Sequence, residues 1–245
     1  MISFGSRSLG TARRRPVNVM DAVFHKSEWM DSGTDGPLSP TVFLAEQPPD
    51  CELLPHFHRQ NQFQLFVDGG GSLGKEKIRP LTIHYAGAYT GYGPILSGAA
   101  GLKYFTIRSS FDTGLTWSTE WREKMVRGPK RHAQASLGEP WPVERLAALD
   151  GVHRENALAP SGGLGAQVAC LPPRAETALA PIEDSVGQFV FVLAGTASLN
   201  GETLEPWESA FVPAADIDAR ITAGRNGAEI VCLHMSQTAD EYLSR

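Results

Sequence analysis

The chain has 245 residues, 42% of them hydrophobic and 20% charged, with a net charge of −5. That balance fits one large or two small folded domains and argues against nucleic acid or an anionic membrane surface as a partner. No stretch approaches the roughly 18 apolar residues of a membrane span. Three cysteines (Cys51, Cys170 and Cys232) without CxxC spacing read as reduced thiols of a cytoplasmic protein.

In chain order, residues 1–39 read as an N-terminal arm. Its basic run Arg13-Arg14-Arg15 is expected to be a solvated tail, while Phe24, Trp29 and Met30 give the arm something to bury. Short apolar stretches at 41–44, 63–67, 104–107 and 190–193 are punctuated by 17 prolines and 25 glycines, the texture of many short strands closing a sandwich or barrel. One helix of about two turns is expected over 118–126, with Ser118 or Thr119 as N-cap and Gly128-Pro129 as its stop.

The two halves of the chain repeat. NQFQLFVDGGGSL from Asn61 matches GQFVFVLAGTASL from Gly187 at an offset of 188 − 62 = 126, with Gln62/Gln188, Phe63/Phe189, Gly69/Gly195, Ser72/Ser198 and Leu73/Leu199 identical. The same offset pairs Gly101 with Gly227. Between these anchors, Tyr92-Gly-Pro94 aligns with Phe211-Val-Pro213 at 213 − 94 = 119, which implies a longer hairpin in the first copy. The reading is an N-terminal barrel over 40–126, a crossover linker over 127–159 and a C-terminal barrel over 160–245.

The stretch PHFHRQNQFQLFVDG, residues 55–69, resembles the first signature of the cupin superfamily, Gly-x5-His-x-His-x3–4-Glu-x6-Gly. His56 and His58 supply the histidines, Gln62 takes the Glu position, Gly69 closes the motif, and Asp50 stands where the leading glycine belongs. The resemblance implies an all-β chain with little helix, built as two tandem double-stranded β-helix (jelly-roll) barrels: a bicupin. The second signature, Gly-x5-Pro-x-Gly-x2-His-x3-Asn, counted from Pro94, puts Ala99 at its histidine; His84 is the nearest substitute. In the second copy the counterparts of His56 and His58 are Ile182 and Asp184, so that barrel is degenerate.

Residues i and i+2 of a strand share a face, so His56 and His58 can reach one ion together, with Gln62 as a weak third ligand. The resemblance then implies a divalent metal (Fe, Zn, Ni or Mn) and metal-assisted oxygenation, isomerisation or hydrolysis of a small organic or aromatic acid. The alternative is a non-enzymatic small-molecule-binding or sensor cupin whose histidines only hydrogen-bond. No catalytic residue is identified.

Gln62, Gln64 and Phe66 share one strand face. Gln64 either lines a polar pocket or faces solvent or another subunit. Tyr92 either orients a ligand or packs with its hydroxyl at the rim. Arg108 either points inward to grip a carboxylate or is a surface charge, the second being preferred. The expected partners are a small-molecule ligand and a second copy of the chain in a homodimer.

Overall fold

The computed structural model describes residues 1–36, 38–179, 181–216 and 218–243, with the side chain of Arg122 left aside. The chain is all-β and divides into two compact units. One, the N-terminal unit, runs from Ser8 to Ser136 and takes in the chain's end from Thr238. The other, the C-terminal unit, comprises Leu137–Gln237 together with Met1–Arg7.

This division differs from the one drawn on the sequence at both ends. The first residues are no arm: Ser3–Gly5 pairs with Ser209–Pro213 in the C-terminal unit. Arg15–Val19 and Ala22–Asp31 instead extend the sheet of the N-terminal unit, where Trp29 buries its ring edge-on against Phe105 at 5.0 Å. The three arginines are not a free tail. Arg13, Arg14 and Arg15 pair with Asp31, Glu46 and Glu28, since Ala22–Asp31 and its neighbour Thr41–Gln47 bring those carboxylates alongside. Within the expected linker, His132–Ser136 forms an edge strand against Thr82–Ala86.

The large sheet of the N-terminal unit is antiparallel, in the order His132–Ser136, Thr82–Ala86, Gln62–Leu73, Ile95–Arg108, Thr41–Gln47, Ala22–Asp31 and Arg15–Val19. The expected helix is shorter than predicted, a 3₁₀ turn at Ser118–Glu120 running into Trp121–Lys124. No side chain caps it, and Met125 is already extended before Gly128 is reached.

The C-terminal unit repeats the central strands in register. Phe63 opposes Tyr85 as Phe189 opposes Phe211, and Leu73 opposes Ile95 as Leu199 opposes Ile221. The hydrogen bond from Leu81 N–H to the Phe66 carbonyl, 2.7 Å, recurs from Trp207 to Val192 at the same length. All of these are 126 apart, so 62–108 maps on 188–234 without a gap. The 119-residue shift is therefore wrong. Gln62 lies opposite Ala86 and Gln188 opposite Val212, which makes Gly87 the counterpart of Pro213. Pro94 is a different proline that precedes the next long strand.

Gly69 and Gly195 adopt φ +76 and +69, and a Cβ on either would lie 2.1 Å from a carbonyl oxygen, that of Gly101 or of Gly227. Only glycine fits such an approach.

Candidate functional site

The corrected register relocates the second signature. Counted from Gly87, its histidine position falls at Tyr92, not Ala99, and its two glycine positions fall at Leu81 and Tyr89. Both hold left-handed backbone, φ +61 and +55, as does Asp50 at φ +50 and Trp207 of the second copy at φ +75. The turns that glycine normally makes are kept by residues that pay strain to adopt them. The positions that the two signature resemblances single out are thus His56, His58, Gln62 and Tyr92.

The backbone brings these four together. His56 and Tyr92 exchange both of their backbone hydrogen bonds at 3.0 Å, and Tyr89 N–H donates to the His58 carbonyl at 2.7 Å. Phe57, between the two histidines, turns to the other side and packs on Tyr89 and Trp121, as strand alternation requires. Gln62, Gln64 and Phe66 share the inward face as expected, opposite Thr106, Tyr104 and their neighbours on Ile95–Arg108.

A directed chain of hydrogen bonds joins the side chains. The His56 Nδ1 lies 2.7 Å from the Leu54 carbonyl, which can only accept, so Nδ1 carries the proton and Nε2 is an acceptor. Tyr92 donates its hydroxyl to that Nε2 at 2.9 Å. Gln62 Nε2 donates to the Tyr92 oxygen, and Arg108 donates to Gln62 Oε1 from both Nε and Nη2, at 3.1 and 2.8 Å. Arg108 is thus inward and buried, not a surface charge: on its strand it alternates with Tyr104 and Thr106, the cavity-facing set.

Asp112 completes the group. Its carboxylate, with the side chain fully enclosed, accepts from His58 Nδ1 at 2.7 Å and lies 3.5 Å from Arg108 Nη1. Burial works to raise its pKa, but the His58 hydrogen bond and the Arg108 charge outweigh it and hold the carboxyl at about 2. Burial, helped by His58, depresses His56 to about 3. Burial and then Arg108 lower His58, and burial raises the Tyr92 phenol. At neutral pH the set is one guanidinium, one carboxylate, neutral imidazoles and a neutral phenol. Asp112 was invisible to sequence reasoning because it lies in the loop after Ile95–Arg108, outside either signature.

His84 is placed differently from a ligand. It is fully buried behind Gln64, with Nδ1 2.8 Å from Gln64 Oε1 and its ring against Tyr92 and His132, and it does not line the cavity. It holds Gln64 in place; its own Nε2 has no partner among the described residues. Gln64 faces the cavity.

The cavity is about 400 Å³. Its polar end carries His56, His58, Gln64, Tyr92, Thr106, Arg108 and Asp112. Its walls are apolar, among them Val17, Phe24, Phe43, Leu53 and Tyr104, and Lys26 lies over the Phe43 ring at 4.2 Å. The hydroxyls of Thr106 and Tyr104 make no hydrogen bond among the described residues, and Arg108 Nη1 has the 3.5 Å ion pair with Asp112.

The donor set does not suit a divalent metal. Among the described residues no three His, Cys, Asp or Glu side chains converge as an ion would need. The His56 Nε2 and Gln62 Oε1 lone pairs are already taken by Tyr92 and Arg108, and a guanidinium beside His58 and Gln62 repels a cation. No described helix is long and apolar enough to cross a membrane.

No protein-family model matches the chain. Nor does any curated protein sequence match it. Solved structures do. Pirin YhhW of Escherichia coli, in complex with nickel(II), is similar over 96% of this chain and 99% of its own, at 11% identity and TM-score 0.58. A candidate dioxygenase from Nostoc punctiforme is similar over 98% and 81%, at 11% identity and TM-score 0.60. Oxalate decarboxylase OxdC of Bacillus subtilis is similar over 98% and 78%, at 10% identity and TM-score 0.61. All three are cupins, and the fold of this chain is theirs: it is an all-β chain with the cupin jelly-roll fold.

Proposed function

We propose that the N-terminal unit binds a small organic acid with an apolar or aromatic body, and does so without a metal. The observation that carries this reading is Arg108, a buried guanidinium at the polar end of a cavity with largely apolar walls, whose Nη1 has only the longer 3.5 Å contact to Asp112 among the described residues. A carboxylate set there would accept from Arg108 Nη1 and from the Thr106 hydroxyl, while the ring or alkyl body lay against Phe24, Phe43 and Leu53. A cavity of about 400 Å³ suits a ligand of roughly nine to twenty heavy atoms.

The test is thermal stabilisation by benzoate and by benzamide, two probes of one shape and different charge. Saturable stabilisation by benzoate, weaker by at least about tenfold in affinity for benzamide, is expected. Equal binding of both, or of neither up to tens of millimolar, sinks the acid-binding reading.

A second reading, metal-dependent oxygenation, isomerisation or hydrolysis at His56 and His58, is favoured by the retained histidine pair and by the nickel held by the pirin of the same fold. It predicts about one equivalent of bound metal that His56→Ala/His58→Ala removes.

A further inference from the structure

We infer that the Arg108 guanidinium does the work of a metal ion in this unit. It is a built-in cation that gathers Gln62, His58 and Asp112 and so fixes the His56-Phe57-His58 segment. The inference goes beyond acid binding and stands even if the cavity takes a neutral ligand.

Three observations carry it. First, the two donors from Arg108 converge on Gln62 Oε1, the oxygen standing at the family's carboxylate position, and Nη2 lies 3.1 and 3.3 Å from the two ring nitrogens of His58. The guanidinium therefore lies against two of the four positions that would otherwise face an ion. Second, the remaining two close on each other, with Tyr92 bridging Gln62 Nε2 and His56 Nε2. A tyrosine suits this closed arrangement because its one oxygen accepts from the amide and donates to the imidazole at once.

Third, the charge is neutralised from outside the set. Asp112 reaches His58 at 2.7 Å and Arg108 at 3.5 Å, with its side chain fully enclosed. A carboxylate at position 62 would have supplied the negative charge from within. With the neutral amide of Gln62 there, Asp112 provides it. The C-terminal unit supplies the contrast. The register counterpart of Arg108 there is His234, and Gln188, the counterpart of Gln62, donates to the Leu179 carbonyl at 2.7 Å instead. Where the guanidinium is missing, the amide nitrogen of the repeated glutamine has a backbone partner in place of a tyrosine.

The experiment uses the full chain, treated with chelator and then dialysed against Mn(II), Ni(II), Fe(II) or Zn(II) in turn. Metal content and melting temperature are read together. The expected wild-type result is below about a tenth of an equivalent of each metal, with melting unmoved by metal or chelator. Arg108→Met is expected to melt well below wild type at neutral pH, and Arg108→Met/Asp112→Asn to recover part of that loss, because an unpaired buried carboxylate is what the single variant leaves behind. About one equivalent of metal in wild type, lost in His56→Ala/His58→Ala, overturns the inference. So does an Arg108→Met protein that melts like wild type. The wild-type metal measurement needs no variant, so a variant that fails to fold leaves the inference open to refutation. The benzoate assay reads a different quantity, and either proposal can fail alone.

Discussion

Replacing Tyr92 by Phe deletes one oxygen from the middle of the chain of hydrogen bonds and little else. Two buried polar groups lose their partner, His56 Nε2 and the Gln62 amide. Leaving a buried donor or acceptor unsatisfied costs about 1–3 kcal/mol each, so Tyr92→Phe should destabilise the unit by about 2–6 kcal/mol. At about 3 °C per kcal/mol for a unit of this size, the melting midpoint should fall by roughly 6–18 °C. Tyr104→Phe is the control. Tyr104 is as buried as Tyr92, 3% against 6% exposed, and packs in the same cluster, yet its hydroxyl makes no hydrogen bond among the described residues. Its variant should stay within about 0.5 kcal/mol of wild type. Urea unfolding followed by circular dichroism gives both values. Equal losses from the two variants would refute the reasoning, since burial alone would then account for Tyr92.

Gly69→Ala and Gly195→Ala should cost similar amounts, about 2–4 kcal/mol each, because the same 2.1 Å clash with a carbonyl arises in both units; urea midpoints of the two variants check this. His84 and His234 sit at about 3 and about 4 when folded, each depressed by burial. A depressed folded value means stability that is complete above the unfolded value of about 6.5 and is lost as pH falls toward the folded one. Each should cost about 2 kcal/mol between pH 7.5 and 5, read as a falling urea midpoint whose fall is reduced but not abolished in His84→Gln/His234→Gln, because His56 and His58 are depressed in the same direction. The Asp112 carboxyl should add to acid lability only below about pH 4, where the unfolded carboxyl takes its proton. Tyr242→Ala should speed amide exchange over 56–58 and 88–92, since the Tyr242 ring lies 4.9 Å from that of Tyr89 and its hydroxyl donates to the Pro129 carbonyl at 2.8 Å.

The strands, the repeat and the histidine pair were legible because each is written in local periodicity or in identity at a fixed offset. Gln62, Gln64 and Phe66 share a face for the reason given from alternation alone. The second signature was misplaced for an equally physical reason. Its marks are a proline and two glycines, and this chain keeps the turns while changing the residues: Leu81 and Tyr89 take left-handed backbone, and Gly87 stands in place of the proline. With those marks gone, a count from Pro94 lands seven residues too far along the chain. Arg108 was read as a surface charge because isolated arginines usually are. What turns it inward is the strand phase shared with Tyr104 and Thr106, together with a carboxylate four residues on that shields it. Burial of a charge depends on a partner, and a partner from a loop leaves no periodic trace.

The duplication also explains why one unit carries the site. At the constant offset of 126, the cavity-facing Gln64, Tyr104 and Thr106 become Val190, Ile230 and Cys232, and His84 behind them becomes Ala210. All four replacements belong to one closely packed apolar core. The backbone register is the same in both units, so the difference lies in side chains alone. An interior of valine, alanine and isoleucine fills itself by contact and needs no partners. An interior of glutamine, histidine and arginine is stable only when every group finds one. The N-terminal unit meets that demand by linking its polar groups to one another, from Arg108 through Gln62 and Tyr92 to His56 and the Leu54 carbonyl. The same chain holds those groups rigid at one end of the cavity. The cost of a polar interior and the precision of the site therefore have one source, and weakening the network should loosen both together.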